Sequence, residues 1–163
     1  MEPPSTSTVS VLNRTSLEAP VAAIQRGVVA ALAMRQAAGD VCVLLTDDEG
    51  IQALNERFRG LDEPTDVLSF PAGDHPGEQR PLGDIAISID HARRQAAARG
   101  ASVDDELAIL AIHGALHLAG LDDETEADQY RMRAAMQAAA ASAGISYDAA
   151  WRTIGRAEIK AAR

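Results

Sequence analysis

His113 and His117 stand four residues apart in a stretch whose apolar pattern is helical. Both imidazoles therefore project from one face, and neighbouring turns can offer two nitrogens to a single metal ion. The pattern continues as His-x-x-x-His-x-x-Gly-x-x-Asp. Gly120 can adopt the left-handed conformation that turns the chain back toward the metal, and Asp123 then arrives as a third ligand. Three protein ligands leave a fourth position to water, whose pKa a metal lowers toward neutrality, so the chemistry implied is metal-assisted hydrolysis. A histidine pair alone would better suit two half-buried positions on an amphipathic helix, with Asp122 and Asp123 as a solvated cap on the next one. The glycine turn and the acidic third position favour the metal.

This spacing is similar to the zinc-binding element of metzincin peptidases, with one difference of chemical consequence. Gly114 follows the first histidine where those enzymes carry a glutamate general base. The peptidase mechanism thereby loses its proton acceptor. A helical glycine costs about 1 kcal/mol relative to alanine, which implies a purpose such as close backbone packing or room for a substrate. Of the other histidines, His75 falls in a long loop and His91 at a helix start; either could reach the metal only through the tertiary fold, and each reads as a surface residue.

The element that carries the pair opens at Ser102 with Asp105, has acidic residues in its first turn, and shows Leu107, Leu110, Ala111 and Leu118 as an apolar stripe ending near Gly120. Around it the pattern predicts a short strand over 8–12, a helix over 17–34 and a buried strand over 41–46. A helix follows from a Thr46/Glu49 capping box, directing Ile51, Leu54 and Phe58 inward. Strands over 66–70 and 85–89 flank a Gly/Pro-rich loop, too long to be a mere connection. A helix capped by Ser88 or Asp90 runs to Arg99 and stops at Gly100; another spans 124–141, with Tyr130 and Met136 among its apolar positions. Residues 145–163 follow no clear pattern.

The 163 residues suit one domain, 1–163, with 1–6 and 157–163 loose. Aromatics make up 3% of the chain, so the core is aliphatic. The single cysteine, Cys42, lies in an apolar run and reads as a buried, inert thiol in a reducing cytoplasm. No signal peptide or membrane span is expected. A net charge of -9 argues against a protein that coats nucleic acid, so any RNA contact must be local. Arg57, Arg59, Arg80, Arg93, Arg94 and Arg99 would supply it if the fold gathers them.

His113-Gly-Ala-Leu-His-Leu-Ala-Gly-Leu-Asp-Asp123 resembles the signature of the YbeY family of bacterial rRNA-maturation endoribonucleases, usually His-Gly-x-Leu-His-Leu-x-Gly-Tyr-Asp-His. Leu54-Asn55 through Phe58-Arg59-Gly60, followed by 64–71 (Pro-Thr-Asp-Val-Leu-Ser-Phe-Pro), is similar to that family's central block. Leu82-Gly83-Asp84-Ile85-Ala86-Ile87-Ser88 is similar to its next strand. The resemblance runs in order from about 41 to 136. It implies an α+β fold, a mixed sheet of about four strands with the metal-binding helix central. It also implies one zinc ion and hydrolysis of single-stranded RNA in rRNA 3′-end maturation and ribosome quality control. The family's functionally important arginine falls at Arg59, whose guanidinium suits a phosphate oxygen and the charge that builds during phosphodiester cleavage. Asp122 matches a family aspartate, a position from which it could orient a metal ligand.

Two departures stand out: Leu121 replaces the common tyrosine, and Asp123 replaces the third histidine. Zinc accepts two nitrogens and a carboxylate, but the harder, charged ligand lowers the net charge of the site and bears on metal choice. The implied partners are rRNA and ribosomal proteins, with no membrane and no DNA. Two rival readings remain: a metallopeptidase-like hydrolase, against which Gly114 argues, and a non-catalytic ribosome-assembly factor with a structural metal, which the acidic charge suits.

Overall fold

The computed structural model of the chain describes residues 7–73 and 80–152. The expectations for 1–6 and 157–163, and for His75, lie outside the described residues. Strands β1 (Val9–Asn13), β2 (Asp40–Thr46), β3 (Val67–Pro71) and β4 (Pro81–Ser88) form one sheet in the order β1-β2-β4-β3. β1 and β4 lie parallel to β2, and β3 runs antiparallel to β4 along the sheet's edge. The helices are α1 (Val21–Met34), α2 (Asp48–Arg59), α3 (Ile89–Arg99), α4 (Val103–Leu118) and α5 (Glu126–Ala143). The fold class is α+β, as the sequence implies.

Alternation along the strands divides the core in two. Val41, Val43 and Leu45 of β2 and Ile85 and Ile87 of β4 face a large cluster shared with α1, α4 and α5. Leu68 of β3 and Ala86 of β4 face the other way, toward Ile51 of α2, with Leu44, Leu54 and Phe70 partly covered beside them. Helix α4 is buried along nearly its whole length, from Glu106 to Leu116 and again at Leu118. It is the central helix, packed on β3, β4 and three other helices.

Local chemistry sets the helix ends, with some differences from the sequence reading. Ser102, Ser88 and Thr125 cap α4, α3 and α5 by accepting backbone N–H groups, and Gly100 and Gly144 close α3 and α5 in left-handed geometry. Helix α1 begins at Val21 rather than near Leu17, because Ala19 precedes a proline and the helical region is disfavoured there. The cap of α2 is Asp47, which accepts from Gly50 N at 2.8 Å, rather than Thr46. Cys42 is half-buried, since it points to the thinly covered face of the sheet. Phe58 and Tyr130 are exposed, at 58% and 73%.

Gly114 is where α4 meets the sheet. A Cβ there would lie 2.7 Å from Ile85 Cγ2 and 3.1 Å from Ser69 Oγ. The Ile85 methyl is fixed by a β-branched carbon and cannot swing aside. Gly114→Ala should therefore lower stability by about 1–2 kcal/mol despite alanine's better helix propensity, because overpacking outweighs it. Urea denaturation of the two chains measures this; equal midpoints would mean that the helix shifts freely.

Candidate metal site and cleft

Helix α4 presents His113 and His117 on successive turns at its C-terminal end, and the chain then turns through Gly120, at φ 94°, to return Asp123 to them. His113 Nε2 lies 3.0 Å from His117 Nε2, and Asp123 Oδ2 lies 3.5 Å and 3.4 Å from the two nitrogens. A tetrahedral zinc with bonds near 2.0–2.1 Å needs ligand atoms about 3.3 Å apart, so the donor set fits the ion in size as well as chemistry. Bonds from His113 and His117 hold the Asp123 carboxyl well below the ordinary carboxylate range, outweighing its burial. It is ionised, as a ligand must be.

The triad opens into a cleft of about 460 Å³ along the edge strand β3. It is lined by Asn55, Arg59, Leu61, Thr65–Ser69 and Pro71 from α2, the loop after it and β3, and by His113, His117 and Asp122–Glu124 from α4 and the turn after it. Arg59, in the last turn of α2, donates from Nη2 to Ser69 O at 2.8 Å. Ser69 Oγ in turn donates to Gly114 O at 3.1 Å. One strand thus holds both the arginine and the histidine helix in register at the cleft. A Cβ at position 114 would press on Ile85 Cγ2 at 2.7 Å, so a glutamate base there would strain the contact between α4 and the sheet.

The family model described as Endoribonuclease YbeY matches residues 6–144. An Endoribonuclease YbeY of Rhodopseudomonas palustris (strain BisB18) is 41% identical over 152 residues, which is 88% of this chain and 90% of that protein. One from Roseiflexus sp. (strain RS-1) is 45% identical over 135 residues, 77% of this chain and 84% of its own. The chain belongs to the YbeY family. The solution structure of TM1509 from Thermotoga maritima, 23% identical, has the same fold at a TM-score of 0.57, covering 89% of this chain and all of that one.

The YbeY-like segments quoted from the sequence converge here: the central block supplies Arg59 and β3, and the histidine run supplies the triad. Asp122 Oδ1 accepts from Asp123 N at 2.8 Å, so it braces the ligand loop's backbone. His91 is buried rather than superficial, and it is remote from the triad in function: its Nδ1 meets Asp48 Oδ1, which also accepts from Ser88 Oγ. The six arginines do not gather into one patch: Arg57 and Arg59 flank the Phe58–Phe70 pair. Arg94 pairs with Asp48 and Arg99 with Glu106, while Arg59 lines the cleft. No described helix is long and apolar enough to cross a membrane.

The residue that sequence reading missed is Trp151, in the segment that showed no periodicity. Its ring packs 5.5 Å from the His113 ring, and its Nε1–H donates to Glu106 Oε1 at 2.7 Å. Glu106 is 1% exposed and accepts both of its other bonds from Arg99 Nη1, at 2.9 and 3.0 Å. Burial pushes the Glu106 carboxyl above its ordinary pKa, although Trp151 and Arg99 oppose the shift. A raised folded-state pKa contributes stability below the unfolded value, and that contribution is lost as pH rises through the folded one. The stability of the native chain minus that of Glu106→Gln should accordingly fall as pH rises above 4.5, read by urea unfolding at each pH. A difference that grew with pH would reverse the sign of the shift.

Proposed function

We propose that this chain is a zinc-dependent endoribonuclease of single-stranded RNA, acting in the cytoplasm in rRNA 3′-end maturation and ribosome quality control, and meeting ribosomal proteins there. Residues 1–163 would act as one hydrolase domain. The observation that carries the reading is the triangle of His113 Nε2, His117 Nε2 and Asp123 Oδ2, with edges of 3.0 to 3.5 Å, in one cleft with Arg59. The relatives, each an Endoribonuclease YbeY, supply the substrate class.

His113, His117 and Asp123 hold the ion. Bound there, zinc supplies Lewis acidity toward a phosphoryl oxygen and toward water. The chain's own contribution is positioning and charge. Arg59, tied to Ser69 O, lines the same cleft, where its guanidinium can bind a phosphate oxygen and stabilise the negative charge that grows as the phosphodiester is cut. The β3 backbone fixes the spacing between that cation and the triad. A peptidase reading lacks its base, because position 114 is glycine.

Elemental analysis of protein purified without an affinity tag should find near-stoichiometric zinc in the native chain and little in His113→Ala or Asp123→Ala. His117→Ala should abolish cleavage of single-stranded RNA, and Arg59→Ala should reduce kcat/KM by about 10²- to 10³-fold while zinc stays bound. If a chain changed at both His117 and Arg59 still complemented a deletion strain, the non-catalytic assembly reading would replace this one.

A further inference from the structure

We infer that Phe58 and Phe70, flanked by Arg57 and Arg59, form a stacking platform that grips one base of single-stranded RNA at the rim of the cleft. The inference rests on the endoribonuclease reading above and says how that substrate is held.

The chain has two phenylalanines, and they are together: the Phe58 and Phe70 ring centroids lie 5.3 Å apart at 60°. Phe58 is 58% exposed, so its ring does little for the core. It sits in the last turn of α2, on the sheet face where Phe70 is only partly covered. Two cations attend the pair. The Arg57 guanidinium lies 5.2 Å from the Phe58 centroid, and that of Arg59 lies 6.0 Å from the Phe70 centroid. In a chain of net charge -9, two arginines on one aromatic pair form a local basic feature.

Exposed aromatic faces beside cations suit a polymer of π-faced units joined by anions, and single-stranded RNA is bound in this way, bases on rings and phosphates on guanidinium groups. The placement connects it to the chemistry. Phe58 adjoins Arg59 in the last turn of α2, and the Arg59 guanidinium, 6.0 Å from the Phe70 centroid, itself lines the cleft that holds the triad. A base seated on Phe58 takes over the ring contact of Arg57, whose charge can then meet the neighbouring phosphate. The stacked nucleotide thus sets which phosphodiester enters between Arg59 and the metal ligands.

The test uses the zinc-loaded full chain and fluorescein-labelled oligoribonucleotides, 2′-O-methylated to prevent cleavage, in which one abasic position is walked along the strand. The native chain should show one position where loss of the base weakens binding roughly tenfold to a hundredfold. Phe58→Ala should weaken binding of the intact strand to a similar degree and erase sensitivity at that position. Phe58→Tyr should restore both, and Phe58→Leu neither. On cleavable RNA the loss should be read mainly in KM, with zinc content and melting temperature unchanged. A Phe58→Ala chain that binds as the native one does, or keeps the abasic-sensitive position, overturns the platform and leaves the endoribonuclease reading intact. A native chain that neither binds nor cuts single-stranded RNA overturns both.

Discussion

With no side chain at position 114, the backbone of α4 can lie against Ile85 and Ser69, where a methyl would come within 2.7 Å and 3.1 Å of them. That approach lets Ser69 Oγ reach the carbonyl of Gly114, the residue directly after His113. The depth of the helix in the molecule is thereby set by the edge strand that also carries the Arg59 bond through Ser69 O. A wider separation would part the residues that line the cleft. It would also lift Leu110, Ile112 and Leu116 from the core, where each contributes about 1.5–3 kcal/mol by burial. Packing and site geometry therefore share one constraint.

The other side of His113 is held by different means. Metal-bound histidines commonly pass their second N–H to a carboxylate or carbonyl. Here His113 Nδ1 meets Met136 Sδ at 3.4 Å, a weak acceptor, and the ring leans on Trp151. Its orientation is thus a matter of packing more than of hydrogen bonding. Trp151 is anchored in turn through Glu106 to Arg99, which also donates to Arg152 O at 2.6 Å. Residues 145–152, which make no helix or strand, thereby support one of the three candidate ligands.

Much of this was legible in the residues, for reasons that can be stated. Helix ends depend on neighbours within a few positions, so Ser88, Ser102, Gly100 and the turn at Gly120 were readable as caps and stops. The convergence of His113, His117 and Asp123 was readable because a helix turn and a glycine fix their spacing. What escaped depends on contacts remote in sequence. Phe58 continues the apolar period of Ile51 and Leu54, but β3 is the sheet's edge and the end of α2 projects past its cover. His91 is buried because Asp48, 43 positions away, accepts from it. Trp151 stands in no periodic segment, and its partner Glu106 looked like one more acidic residue in a helix's first turn. Gly114 was recognisable as unusual, while the neighbour that demands it, Ile85, was not.

Asp123 sets the electrostatic balance of the cleft. A third imidazole would leave a divalent site with its full charge, whereas the carboxylate, kept ionised by His113 and His117, cancels one unit. Asp122 and Glu124 beside it line the same cleft. With a divalent ion held there, an anionic substrate would meet a less positive site than three histidines would present, and the nearby cations would matter more. Arg59 is the arginine lining the cleft among the described residues, and Arg57 follows it outward at the rim. In a chain of net charge -9, attraction of a phosphate chain is thus concentrated where α2 ends. The Asp123 carboxylate and the arginine-flanked end of α2 are thus two parts of one charge arrangement: the first would reduce what a bound ion offers, and the second supplies positive charge at the same cleft.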